Sequence, residues 1–184
     1  MKIVNDRQEF LKELSLHSVD GYSSFAEIGV YQGDFSELVL SIINPSWLVL
    51  IDPYKESNNE YKNGLKVAYS NQEDYKIVVR KFSRQISKGG VSIYSLNSEY
   101  AVQLFPDLYF DFVYHDASHL YEDVIRDLVQ WERKVKVNGL ICGHDYIKHE
   151  DFGVIEAVDK FCDLYNFEMI IFNKNGGDYA LRRK

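Results

Sequence analysis

The chain of 184 residues reads as an α/β protein, a mostly parallel sheet of seven strands with an antiparallel last strand and helices on both faces. Short apolar runs of strand length alternate with stretches whose apolar residues recur at helical spacing. That alternation implies crossover connections, which build a parallel sheet covered on both sides. The last two runs break the rule. No helix fits in the "NKNGGD" between them, and Asn175-Gly176-Gly177 is hairpin turn chemistry.

In chain order, residues 7–17 have helical spacing, and residues 1–20 are expected to form a helical cover over the ligand cleft. The strands are expected at 25–30, 47–51, 91–94, 110–115, 140–143, 167–172 and 179–181. Helices are expected from Phe35/Leu38/Val39/Ile42, from Leu120/Val124/Leu128/Trp131 and from Val154/Ala157/Val158/Phe161/Leu164. Residues 53–75 are too polar and too long for a strand-to-helix link. They are read either as a lid closing over a polar acceptor or as a solvated helical insertion. No Pro/Gly/Ser-rich linker divides the chain, so residues 1–184 form one domain.

A formal net charge of −7 argues against a broad phosphate-backbone footprint, which needs clustered Lys and Arg. No nucleic-acid partner is expected, and Arg182, Arg183 and Lys184 read as a solvated tail. The start "MKIVNDRQEF" has no signal-peptide core, and no run approaches the roughly 18 apolar residues of a membrane span. A cytoplasmic protein with no membrane partner is expected. Cys142 and Cys162 have neither CxxC spacing nor a disulfide framework and read as core thiols. A homo-oligomer is compatible with the sequence, which fixes no subunit number.

The stretch "AEIGVYQGDFSELVL" supplies the first strand, the turn after it and the start of a helix. Ligands of open α/β sheets bind at the carboxyl ends of strands, where glycine lets the backbone approach them closely. Gly29 and Gly33 are so placed, with Glu27 just upstream, although a purely structural turn has the same signature. The spacing is not GxGxxG, and Tyr31 stands where a dinucleotide site needs glycine. The second strand ends in Asp52, where an acid accepts from ribose hydroxyls, or where Asp-Pro simply turns the chain. Turn and acid together indicate a nucleoside-like ligand.

"EIGVYQGDFS", "LIDPY", "DFVYHDASHLYEDV" and "GLICGHDY", in this order, resemble the class I S-adenosylmethionine-dependent methyltransferases. Within them, the small-molecule group typified by macrolide and aminocoumarin sugar O-methyltransferases is the nearest match. The resemblance spans residues 25–184. It implies a Rossmann-like sheet of seven strands, the last reversed, and S-adenosylmethionine as cofactor. It further implies that Glu27, Gly29 and Gly33 shape the methionine end of the site and that Asp52 binds ribose. Asn97 and Ser98 would contact adenine, and Asp116 would stand beside the sulfonium and the acceptor.

Relatives that use a divalent ion ligate it at the positions of Asp116, His144 and Asp145. This chain departs from them in having His144 where an acid is usual, and Ser118 then His119 where a base is expected. Two accounts stay open. In one, Asp116, Asp145 and His144 or His119 bind Mg²⁺ or Mn²⁺; in the other, Asp116 or His119 is the base of a metal-free reaction. Structural readings also stand: His115 as a core histidine, His119 as a helix cap, His149 as a loop residue. Asp116 and Asp145 are harder to read as structural, because adjacent carboxylates repel.

The expected function is methyl transfer to the oxygen of a small polar acceptor, a sugar or secondary metabolite. A non-catalytic cofactor-binding module and another nucleotide-dependent α/β enzyme, such as a dehydrogenase, are the alternatives. "DPY" at Asp52, Pro53 and Tyr54 follows the second strand, not the fourth, and so is not an amino-methylating signature.

Overall fold

The computed structural model describes residues 1–18, 23–55, 59–62, 65–68 and 70–184. Ten strands, β1 (Lys2–Val4), β2 (Ser24–Ile28), β3 (Trp47–Ile51), β4 (Asn59–Lys62), β5 (Leu65–Ala68), β6 (Val91–Tyr94), β7 (Phe110–His115), β8 (Val135–Gly143), β9 (Phe167–Asn173) and β10 (Tyr179–Arg183), form two sheets. The main sheet has the order β1-β9-β10-β8-β7-β2-β3-β6. All seven expected strands are in it, and β10 runs antiparallel between β8 and β9. The eighth, β1, is an addition that pairs in parallel with β9; three residues are too few to show a period.

Period-two alternation sends neighbouring side chains to opposite faces. Val113 joins Ala26, Ile28, Val49, Ile51 and Ile141 on one face. There they meet α6 (Tyr121–Glu132) and α7 (Val154–Tyr165), whose buried Leu128, Trp131 and Phe161 sit at helical spacing. Phe112 and Tyr114 face the other way, with Phe25, Leu48, Leu50 and Leu140. That face is covered by α1 (Arg7–Ser15), α2 (Asp34–Ile42) and α3 (Gln72–Lys81). Asp6 starts α1 by accepting the Glu9 N–H at 2.8 Å, and Phe10, Leu11 and Leu14 anchor it. The helix packs beside α2 and β9. Apolar burial seats α1 on the sheet, and its Arg7 side chain reaches toward Asp116 at the cleft.

The 53–75 segment holds an antiparallel hairpin, β4 with β5, rather than a helical insertion. Residues 56–58, 63, 64 and 69 of the expected lid lie outside the described residues. The sequence reading also missed α3, where Asn71 and Asp74 form a reciprocal capping box, and the short α4 (Ser83–Ser87) and α5 (Ser98–Ala101). Among the described residues no helix is long and apolar enough to cross a membrane.

Candidate active site

Chain order reverses between β2 and β7, which lie side by side in the sheet. Such a switch point leaves a crevice beyond the strand ends. The cleft there has a volume of about 450 Å³, within the range of small-molecule sites, and Gly29, Asp52, Asn97, Ser98, Asp116 and Arg126 are among its walls.

The turn after β2 is left-handed at Gly29 (φ +89°), Tyr31 (φ +52°) and Gly33 (φ +76°). A Cβ at Gly29 would stand 2.0 Å from the Asp116 carbonyl oxygen, so any side chain would push β2 and β7 apart. Asp52 clamps this turn. Its Oδ2 accepts the N–H groups of Val30 (2.9 Å) and Tyr31 (3.0 Å) and the Ser70 hydroxyl (2.7 Å). Holding Tyr31 in a conformation unfavourable to a non-glycine residue is a role that the sequence reading did not foresee.

Glu27 and Gly33 are not brought to the wall. Glu27 is buried beneath α2 and accepts the Ser36 hydroxyl at 2.6 Å. Burial pushes its carboxyl well above the usual range, only partly opposed by Ser36. Gly33 caps α2, and a Cβ there would meet the Phe82 ring at 2.8 Å. Both shape the turn from behind. At the far end, Asn97 and Ser98 line the cleft, but the Ser98 hydroxyl already accepts the Trp131 indole N–H at 2.7 Å and bonds Asp127. The first two turns of α6 add Asp123, Arg126 and Asp127 to this wall. Their i, i+3, i+4 spacing on one helix face was the available signal.

Asp116 belongs to both the cleft and a polar cluster beside it. One ligand atom from each of Asp116, His144 and Asp145 lies within 4.8 Å of the others. His119 Nε2 stands 2.8 Å from Asp145 Oδ2, and His144 Nδ1 stands 3.1 Å from the same oxygen. The third residue of this candidate set is thus His144, while His119 contacts Asp145 from outside it. Burial opposes ionisation of Asp145, yet the hydrogen bonds from the two imidazoles win and hold it well below the usual carboxylate range. For His144 burial is likewise outweighed, by Asp145 and Asp116, and its pKa rises. Burial dominates at Asp116, whose carboxyl is pushed up despite His144 and Arg7. Asp145 sits at φ +60°, a strained position for a non-glycine residue.

The His119 ring stacks on Phe152, centroids 4.4 Å apart, and exposed His149 packs on the same ring. His115 points inward; both ring nitrogens are buried with no hydrogen-bond partner among the described residues, and burial pushes its pKa down to about 3. It is a neutral core residue. Two carboxylates and an imidazole form an oxygen-rich donor set suited to a hard divalent ion, with Mn²⁺ favoured over Mg²⁺ by the nitrogen.

A family model described as a methyltransferase domain matches residues 26–146. No curated protein matches the chain. Among solved structures, the O-methyltransferase NovP superposes with a TM-score of 0.70 at 16% identity, over 97% of this chain and 79% of that one. An O-methyltransferase from Bacillus cereus in complex with SAH gives 0.63 at 13% identity, over 95% and 79%. An rRNA methylase from Streptococcus thermophilus gives 0.59 at 10%, over 96% and 94%.

Proposed function

Because the chain belongs to the methyltransferase domain family and has the class I S-adenosylmethionine-dependent fold, we propose that it methylates a hydroxyl oxygen of a small polar acceptor, a sugar or secondary metabolite. The observation that carries this reading is the cluster of Asp116, His119, His144 and Asp145, which adjoins the cleft through Asp116. A neutral amine acceptor already offers a lone pair, whereas a hydroxyl must lose its proton as it attacks.

When bound, S-adenosylmethionine supplies an electrophilic methyl group on a cationic sulfur. Gly29 would admit the ligand against the backbone, Asp52, which fixes the turn, would meet the ribose, and Asn97 and Ser98 would border the adenine. Asp145 takes the Nε2 proton side of His119, which leaves Nδ1 as the acceptor for the hydroxyl proton. Asp145 thereby fixes the tautomer and steadies the imidazolium that forms. Asp116, His144 and Asp145 would hold a divalent cation, Mg²⁺ or Mn²⁺, which supplies Lewis acidity toward the acceptor oxygen. An intracellular setting belongs to the same proposal, since both cysteines are free.

The fold alone leaves the acceptor open, for the rRNA methylase shares it. Acidity favours the small acceptor: a chain of charge −7 with Asp116, Asp123 and Asp127 in its cleft repels a phosphate backbone. Calorimetric titration with S-adenosylhomocysteine and with NAD tests the cofactor, and binding of NAD alone would overturn it. Methyl transfer to sugar hydroxyls in preference to RNA would support the acceptor class, and the reverse preference would refute it.

A further inference from the structure

We propose that Arg7 binds the α-carboxylate of the cofactor's methionine half. The assignment rests on reading the cleft as an S-adenosylmethionine site. Four wall positions follow the ends of neighbouring strands in spatial order: Asn97 after β6, Asp52 after β3, Gly29 after β2 and Asp116 after β7. A ligand with its purine at Asn97 and ribose at Asp52 therefore lays its amino-acid end at Gly29 and Asp116.

That end carries a carboxylate, whose transfer out of water is costly unless charged donors meet it. The surroundings are rich in acid: Glu27, Asp116, Asp145 and Asp178. His119 and His144 both contact Asp145 and are assigned to proton transfer and to the divalent ion. Lys55 and Arg126 line the cleft toward its nucleoside end, beside Pro53 and Asp127. Arg7 is the guanidinium at the amino-acid end.

Arg7 is also held ready. Its Nε donates to Asp178 Oδ1 at 3.0 Å, and its Cζ lies 4.9 Å from the Phe35 ring centroid. Asp178 is fixed in turn by the Tyr114 hydroxyl (2.5 Å) and Asn173 Nδ2 (2.7 Å). The Nη2 atom stands 3.9 Å from Asp116 Oδ2, too far for a hydrogen bond, and the side chain is 29% exposed. An arginine pinned through Nε, whose Nη groups donate to no other group among the described residues, suits two-pronged capture of a carboxylate. With Asp116 beside it, the pair presents opposite charges to a zwitterion.

Titrations of wild type, Arg7→Met and Arg7→Lys with three ligands test this: S-adenosylhomocysteine, its decarboxylated analogue and 5′-methylthioadenosine. Arg7→Met should weaken S-adenosylhomocysteine about 10- to 100-fold, with Arg7→Lys intermediate. Both carboxylate-free ligands should bind wild type and Arg7→Met within about twofold of each other. Equal weakening of all three ligands would make Arg7 a prop of the fold and overturn the assignment, as would unchanged S-adenosylhomocysteine affinity. Should Arg7→Met fail to fold because buried Asp178 is left without its countercharge, the double variant Arg7→Met/Asp178→Asn carries the same comparison. Wild type that binds none of the three would refute the cofactor reading itself.

Discussion

His119 and Asp145 are joined by a 2.8 Å contact from Nε2 to Oδ2, an imidazole held by a carboxylate that remains ionised. If His119 takes the acceptor proton, His119→Ala should lower kcat by about 10²- to 10⁴-fold while S-adenosylhomocysteine still binds normally. Steady-state rates with a responsive acceptor check this, and a full rate in the variant would remove His119 from the chemistry.

The same carboxylate decides the metal question. If Asp116, His144 and Asp145 hold a divalent ion, EDTA should abolish turnover and Mn²⁺ restore it. Asp145→Asn should then weaken Mn²⁺ binding at least about tenfold, as followed by electron paramagnetic resonance. Undiminished turnover in chelator would leave the metal-free account.

Asp52 both clamps the turn and lines the cleft. Asp52→Ala should weaken S-adenosylhomocysteine by on the order of 1.5 to 3 kcal/mol, since a charged acceptor is lost. Calorimetry with a thermal melt as fold control measures it; unchanged affinity in a folded variant would take Asp52 out of the site.

Asp127 should tie stability to pH. Burial, against the opposing charge of Arg126, pushes its carboxyl from 3.8 up to about 6. Below 3.8 both folded and unfolded chains hold the proton. As pH climbs toward about 6 the unfolded chain releases it first, so stability is lost across that window, on the order of 3 kcal/mol in all. Asp127→Asn should therefore melt higher than wild type at pH 7.5, with the gap closing near pH 4, in calorimetric scans. His115 acts in the opposite sense: its pKa of about 3 costs stability as pH falls from 6.5.

Apolar patterning exposed the seven expected strands because burial on both faces makes them nearly continuous apolar runs, as at Phe112, Val113 and Tyr114. It could not expose β1, or α3, whose first turn is polar and capped. In the site, Asp52, Asp116 and Asp145 were legible as acids ending apolar runs, a local property. The turn-clamping by Asp52 and the reach of Arg7 depend on contacts between separate segments, and the Glu27–Ser36 bond on how α2 folds back over β2, none of which residue spacing encodes.

Arg7 and Asp178 stand 171 positions apart. Asp178 belongs to the hairpin turn that leads into β10, the strand between β8 and β9, so the pair ties the start of α1 to the end of the chain. No fragment ending before that hairpin can hold Arg7 in place, however complete its nucleotide-binding half. Non-local contacts of this kind form slowly, so recovery of ligand binding during refolding is expected to trail the return of helical signal.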